Sequence, residues 1–370
     1  METKETRKRL ESLDILRGFI MIFAAGGDDL MVALAVACGF PADCAFARQF
    51  QHVAWHGFHF EDFIYPFFVF IAGVTWPLSL ARQREKGATD GQVVRKVLFR
   101  GAMLIALGLL CSSGFLKHGH FQWASVLGRI GVCWSVAALV WAFTALRTRI
   151  LVFWGILVSY WLLLLFCPAP GTPAGADPLA LENCFVTWVN PYICPVRNQF
   201  AFSVYAMVAS ALAGMFAGAW LKGGRPDFSE GRRTLTLAVA GGAAIALGCV
   251  WAFGLGKWSF PLNKILWSSS LVLVAGGLGS VVLALAHWLV DEKGVSRWGF
   301  VFKIVGMNSI LFYVLARSVL PFDYVGAYFF GGLDVFVSPA VATFVHFAGG
   351  LAVLWLLMLA CYRLKVFLKV

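Results

Sequence analysis

The chain has 370 residues, 60% of them hydrophobic and only 13% charged, with a mean hydropathy of +0.79. Soluble domains hold roughly 45–50% apolar and about 25% charged residues, so a water-soluble fold is excluded and the composition predicts an all-α polytopic membrane protein. The net charge of +11 requires no nucleic-acid partner, because basic flanks facing anionic membrane lipid account for it.

A basic tail, KETRKR, opens the chain. The span behind it is too long and too polar at its middle for a signal-peptide core, so the N-terminus is expected inside. Apolar runs long enough to cross a bilayer as helices fall at 15–37, 62–81, 97–116, 126–146, 150–167, 201–221, 235–255, 266–290, 299–319 and 340–362. About ten transmembrane helices return the C-terminus to the same side, both termini being cytoplasmic. With that topology 23 of the 30 lysines and arginines lie inside, as the positive-inside rule requires.

The first span opens with SLDILRG. Ser12 can cap it, and Asp14 and Arg17, three apart, share a face; a salt-bridged helix start is the plain reading. Further along, GGDD puts Asp28 about 20 Å from Asp14 at helical rise, behind two glycines that permit a helix break. The stretch HVAWHGFHFED (52–62) then gathers three histidines and two acids at the expected outer face. His52, His56 and His59, spaced four and three, with Glu61 and Asp62 following, can be read as a zinc site. Gly57 weakens the rigid helix that would align them, however, and no second cluster with metal spacing follows. One histidine beside a carboxylate suits general-base chemistry better, since its pKa lies near working pH and the acid fixes its tautomer.

Later polar islands are Arg100 at the inner start of the third span, Arg129 at the outer start of the fourth, FPLNKILWSSS (260–270) and GMNSILFY (306–313). Asn263, Lys264, Ser268 to Ser270 and Asn308 can line a cavity. Serines in spans more often bond their own helix backbone, and Lys264 and Arg129 can simply snorkel. The Pro- and Gly-rich segment 168–200 reads as an ordered outside loop that can lid a site. Gly214 and Gly218 allow close helix approach. Five of nine cysteines lie in or beside spans as small apolar residues; Cys38/Cys44 and Cys184/Cys194 fall in outside loops where disulfides are permitted.

Taken in order, SLDILRG, GGDD, H-x-x-W-x-G with ED-F-x-Y-P-F-F-V-F-I-A-G, PLNKILWSSS and GMNSILFY resemble the transmembrane N-acetyltransferases of the heparan-α-glucosaminide type, from about residue 10 to 315. The resemblance implies one transmembrane acyltransferase domain over 1–370. It would use cytoplasmic acetyl-CoA, without a metal, to acetylate a glucosamine-type amine across the membrane. It makes His52 the catalytic histidine, and His56 and His59 fall on free positions of the pattern. Asp28 stands where the lysosomal branch carries asparagine, so Asp28 or Asp62 would orient His52. Asp14, Trp55, Asn263, Lys264 and Asn308 are expected at the acceptor, with Trp55, Asn263 or Asn308 as the donor to the carbonyl oxygen. Arg17, Arg100, Arg129 and Ser268 are expected at the cofactor. The long luminal domain of the lysosomal branch is not part of this sequence, so the expected setting is a bacterial inner membrane and the expected partners are an amino sugar, lipid and a second copy in a homodimer. An acetyl-histidine intermediate is the rival mechanism. The rival functions are a permease built from broken helices and a non-catalytic binding or scaffold protein.

Overall fold

The computed structural model describes residues 10–111, 123–194, 201–223 and 228–368. Helices dominate them, and no strand occurs among the described residues. In chain order these are α1 (Glu11–Ile22), α2 (Asp28–Ala37), α3 (Phe60–Val74), α4 (Trp76–Glu85), α5 (Asp90–Cys111), α6 (Val126–Phe143), α7 (Leu146–Phe166) and α8 (Phe185–Ile193). There follow α9 (Val204–Gly223), α10 (Glu230–Phe253), α11 (Ser269–Ala286), α12 (Phe300–Met307), α13 (Ser309–Val314), α14 (Phe322–Phe330) and α15 (Pro339–Arg363).

Serines start many of these helices. The Oγ atoms of Ser125, Ser229, Ser268 and Ser338 accept the amides of Gly128, Arg232, Leu271 and Val341, so each satisfies a donor that the first turn leaves open.

Among the described residues, eight helices are long and apolar enough to cross a membrane, and nine if the bent pair Arg297–Met307 and Ser309–Val319 counts as one span. The expected third span starts earlier than its apolar run, as α5. Arg95, Lys96 and Arg100 in its first three turns keep it out of that set, and its predicted end, 112–116, lies outside the described residues.

Two breaks interrupt the bundle. Between α1 and α2 the chain makes a π-helical turn, Phe23–Gly27, in which Gly26 has φ +128°, a conformation that favours glycine. Between α12 and α13 the axis bends by 71° at Asn308. Close helix packing depends on glycine. A Cβ on Gly214 would sit 1.9 Å from the Phe70 carbonyl oxygen and one on Gly218 2.0 Å from that of Val74, so α9 and α3 pack backbone to backbone.

All nine cysteines are free thiols. Cys184 and Cys194 flank the two ends of α8, about 15 Å apart at helical rise, which a disulfide cannot span. Cys44 instead accepts the Ala47 amide with its sulfur.

Candidate active site

The stretch 52–59 is not helical, and Gly57 has φ +139°. The three histidines therefore do not share a face. His59 Nδ1 lies 2.9 Å from the Gln51 carbonyl, His56 Nδ1 3.3 Å from Asn263 Nδ2, and His52 Nδ1 3.2 Å from Lys264 Nζ. Among the described residues no three His, Cys, Asp or Glu side chains group as a metal site would need.

Asp62, three residues into α3 and 3% exposed, organises the site. Its Oδ2 accepts the His59 amide at 3.1 Å and the Val53 amide at 3.4 Å, while Oδ1 faces His52 Nδ1 and Lys264 Nζ, each at 3.6 Å. His52 itself stays 62% exposed. Lys264 lies 212 residues beyond His52 in the chain and also reaches the Glu61 carbonyl at 3.3 Å. Burial pulls the Lys264 ammonium below lysine's ordinary value, against the opposing pull of Asp62 and Glu61.

The turn that presents Lys264 is held tightly. Asn263 Oδ1 accepts the Leu266 amide at 2.8 Å, and the Asn263 amide donates to Ser268 Oγ. Trp267 has φ +59°, rare for a bulky residue, and its indole donates to Ser210 Oγ at 2.9 Å. The outside loop touches the same region: Trp55 Nε1 donates to the Leu179 carbonyl at 2.9 Å. Burial lowers the His56 imidazole, with Asp177 acting against it.

Two adjoining cavities of about 240 and 200 Å³ open on this cluster and share His52, Tyr65, Arg129 and Lys264. Asp28, Glu61 and Arg317 line the second. The Arg129 guanidinium stands 5.1 Å from the Tyr65 ring centroid, and its Nε is buried without a hydrogen-bond partner. Toward the other end of the bundle lies a cavity of about 520 Å³ lined by Asp14, Arg17, Arg82, Lys86, Lys96, Arg100 and Lys222. Arg17 Nη1 lies 3.6 Å from Asp14, and the Arg100 guanidinium is 4.3 Å from the Trp134 ring. Arg17 lines this cavity and Met21 the His52 cavity, so along α1 the two are separated by one turn, about 6 Å.

The structure places several of the expected residues apart from one another. Asp14 lines the basic cavity with Arg17 and not the His52 cavities. Asn308 lies at the bend with both amide atoms used, Nδ2 on the Val366 carbonyl and Oδ1 on the Leu368 amide, because the C-terminal segment folds over it. Asn263 places one amide hydrogen toward His56 and its Oδ1 on the Leu266 amide, and the Trp55 indole donates to the Leu179 carbonyl, so the single indole donor of Trp55 is already used. Ser268 is fully buried as the cap of α11, and Arg129 stands with His52 and not with Arg17 and Arg100. Of the two acids expected to orient His52, Asp62 is the one at its ring; Asp28 lines the cavity wall. Sequence reasoning missed Tyr65 and Arg317 at this site and the four further cations of the basic cavity. Tyr65 had a signal, since it follows Glu61 and Asp62 by four and three residues on one helix face.

Fold and site together define a polytopic helical membrane protein with a histidine–carboxylate–lysine cluster at one end and a cation-lined cavity below it. No family model matches the chain. Among curated proteins, human heparan-alpha-glucosaminide N-acetyltransferase is 25% identical over 85% of this chain, and the mouse protein of that name 24% over 87%. The chain is a distant relative of that family and spans about half the length of these relatives, 54% and 56%.

Proposed function

We propose that this protein is a membrane N-acetyltransferase that moves the acetyl group of acetyl-CoA to the amine of an amino sugar, with His52 as general base. The observation that carries this reading is the pairing of His52, Asp62 and Lys264 at an open cavity with a basic cavity one turn along α1. Acetyl-CoA bears a diphosphate and a 3′-phosphate, a charge too costly for hydrocarbon. Its nucleotide end therefore binds among Arg17, Arg100 and their neighbouring cations, on the cytoplasmic side, where charge-assisted hydrogen bonds are available. The thin pantetheine arm follows α1 past Met21 and presents the thioester to His52.

In this reading Nδ1 carries the ring proton and turns it toward Asp62 Oδ1, which leaves Nε2 for the acceptor. The amine attacks the thioester carbonyl and gives its proton to Nε2, the C–S bond breaks, and the proton leaves with the thiol of coenzyme A. Arg129, whose Nε lacks a partner, supplies the donor for the developing oxyanion. The loop around Leu179, bonded to Trp55, acts as the lid.

Purified protein given acetyl-CoA and glucosamine should release free thiol and form the N-acetyl sugar. His52→Ala should abolish both products in a folded protein, while His56→Ala keeps appreciable activity. Thiol release undiminished in His52→Ala would remove the base from that ring. Movement of amino sugar without thiol release would favour a permease, a reading for which the breaks at Gly26 and Asn308 speak.

A further inference from the structure

Away from the His52 and basic cavities, a groove of about 860 Å³ opens between α7 and α9 on one side and α10 and α11 on the other. All four helices are long and apolar enough to cross a membrane, so the groove lies at bilayer depth. Its lining is apolar, small residues such as Ala213, Ala240 and Gly276 alternating with Phe153, Phe216 and Leu237. From Ala213 to Gly223, both in its wall, α9 advances about 15 Å, half of the roughly 30 Å hydrocarbon thickness. An apolar void of this size is unsuited to water, which needs polar partners, and it matches the depth of one leaflet.

The groove is polar at one end only. There Arg149 lies against Trp141, its guanidinium 4.2 Å from the ring, with Nε buried and lacking a hydrogen-bond partner. Trp220, whose indole donates to the Arg233 carbonyl at 3.0 Å, closes the same end. Such a cation at the mouth of a one-leaflet apolar slot complements the phosphate of a lipid whose chain fills the slot.

We propose that this groove is a specific site for an anionic phospholipid of the surrounding bilayer, one acyl chain lying on its apolar lining and the phosphate on Arg149. The site is independent of the acetyl-transfer reading. It shares the end of α9 with the basic cavity, which Lys222 lines two residues beyond Trp220.

The test is native mass spectrometry of the full chain, delipidated in detergent and then given phosphatidylglycerol or phosphatidylcholine with matched chains. The wild type should retain one phosphatidylglycerol that phosphatidylcholine does not displace. Arg149→Gln, which leaves the slot open, should weaken retention about fivefold, the effect of one cation near a headgroup. Ala240→Phe, which fills the slot, should abolish it. Equal retention of the two lipids, or retention unchanged in both variants, would overturn the site. So would a dimer of the wild type that Ala240→Phe dissociates, since a second copy would then cover this face.

Discussion

Replacing Asp62 with alanine removes four things at once, the acceptor of the Val53 amide among them. The His59 amide loses its acceptor in the first turn of α3, worth about 1 kcal/mol for a helix cap. Lys264, 18% exposed at its side chain, loses its nearest carboxylate, and an uncompensated buried charge costs about 3–5 kcal/mol. His52 loses the group that orients it. Removing both members of the pair together leaves no stranded charge, so Asp62→Ala/Lys264→Met should lose less stability than the two single variants summed, by a coupling of about 0.5–3 kcal/mol as for residues in direct contact. Thermal unfolding of the four proteins in detergent closes this cycle, and acetyl transfer measured beside it should stay low in both Asp62→Ala backgrounds. A double variant less stable than Asp62→Ala by the full cost of Lys264→Met would show that the two groups do not interact, and the electrostatic account of the site would fall.

Lys264 titrates below an ordinary lysine, so between its lowered folded value and about 10.4 the unfolded chain holds a proton that the folded chain lacks. Stability should therefore rise with pH across that window, and a series of melts should show Lys264→Met flattening the rise. Gly214→Leu drives a side chain into the Phe70 carbonyl and should cost at least about 1–3 kcal/mol, read as loss of the monodisperse peak in size-exclusion chromatography; Gly155→Leu, with open space around it, should not. Arg100→Ala should raise the KM for acetyl-CoA about tenfold or more, the worth of a charge-assisted bond, with little change in the acceptor's KM. A larger change for the acceptor would reassign the basic cavity. Arg129→Lys should lower kcat more than either KM, by about 10²–10³ if it holds the oxyanion.

Much of the fold was legible because hydropathy and the length of a span are local properties. A break before Asp28 was foreseeable from two adjacent glycines, and close approach of another helix to α9 from the spacing of Gly214 and Gly218, though not that the partner is α3. What escaped is non-local. Nothing in the first seventy residues says that Lys264 will stand at the His52 ring, because that depends on a turn forced by Trp267 and Asn263. Asn308 looked like a free amide in an apolar helix; the C-terminal backbone at Val366 and Leu368 takes it up. Arg82, Lys86, Lys96 and Lys222 read as flanks obeying a topology rule, and their convergence on one cavity is a property of helix ends brought together by packing.

Lys264 follows Glu61, whose carbonyl it reaches, by 203 residues, and this sets a schedule for biogenesis. At translation rates of about 5–20 residues per second, some 10–40 s pass between emergence of the acid-rich start of α3 and arrival of its cation. Through that interval Asp62 has no lysine opposite it, and since an unpaired carboxylate is costly at bilayer depth, the start of α3 is expected to stay near water until the 260–268 turn docks. A ribosome-stalled chain ending before residue 260 should accordingly leave cysteines introduced near Phe63 open to a water-soluble reagent, and a chain extended past α11 should close them.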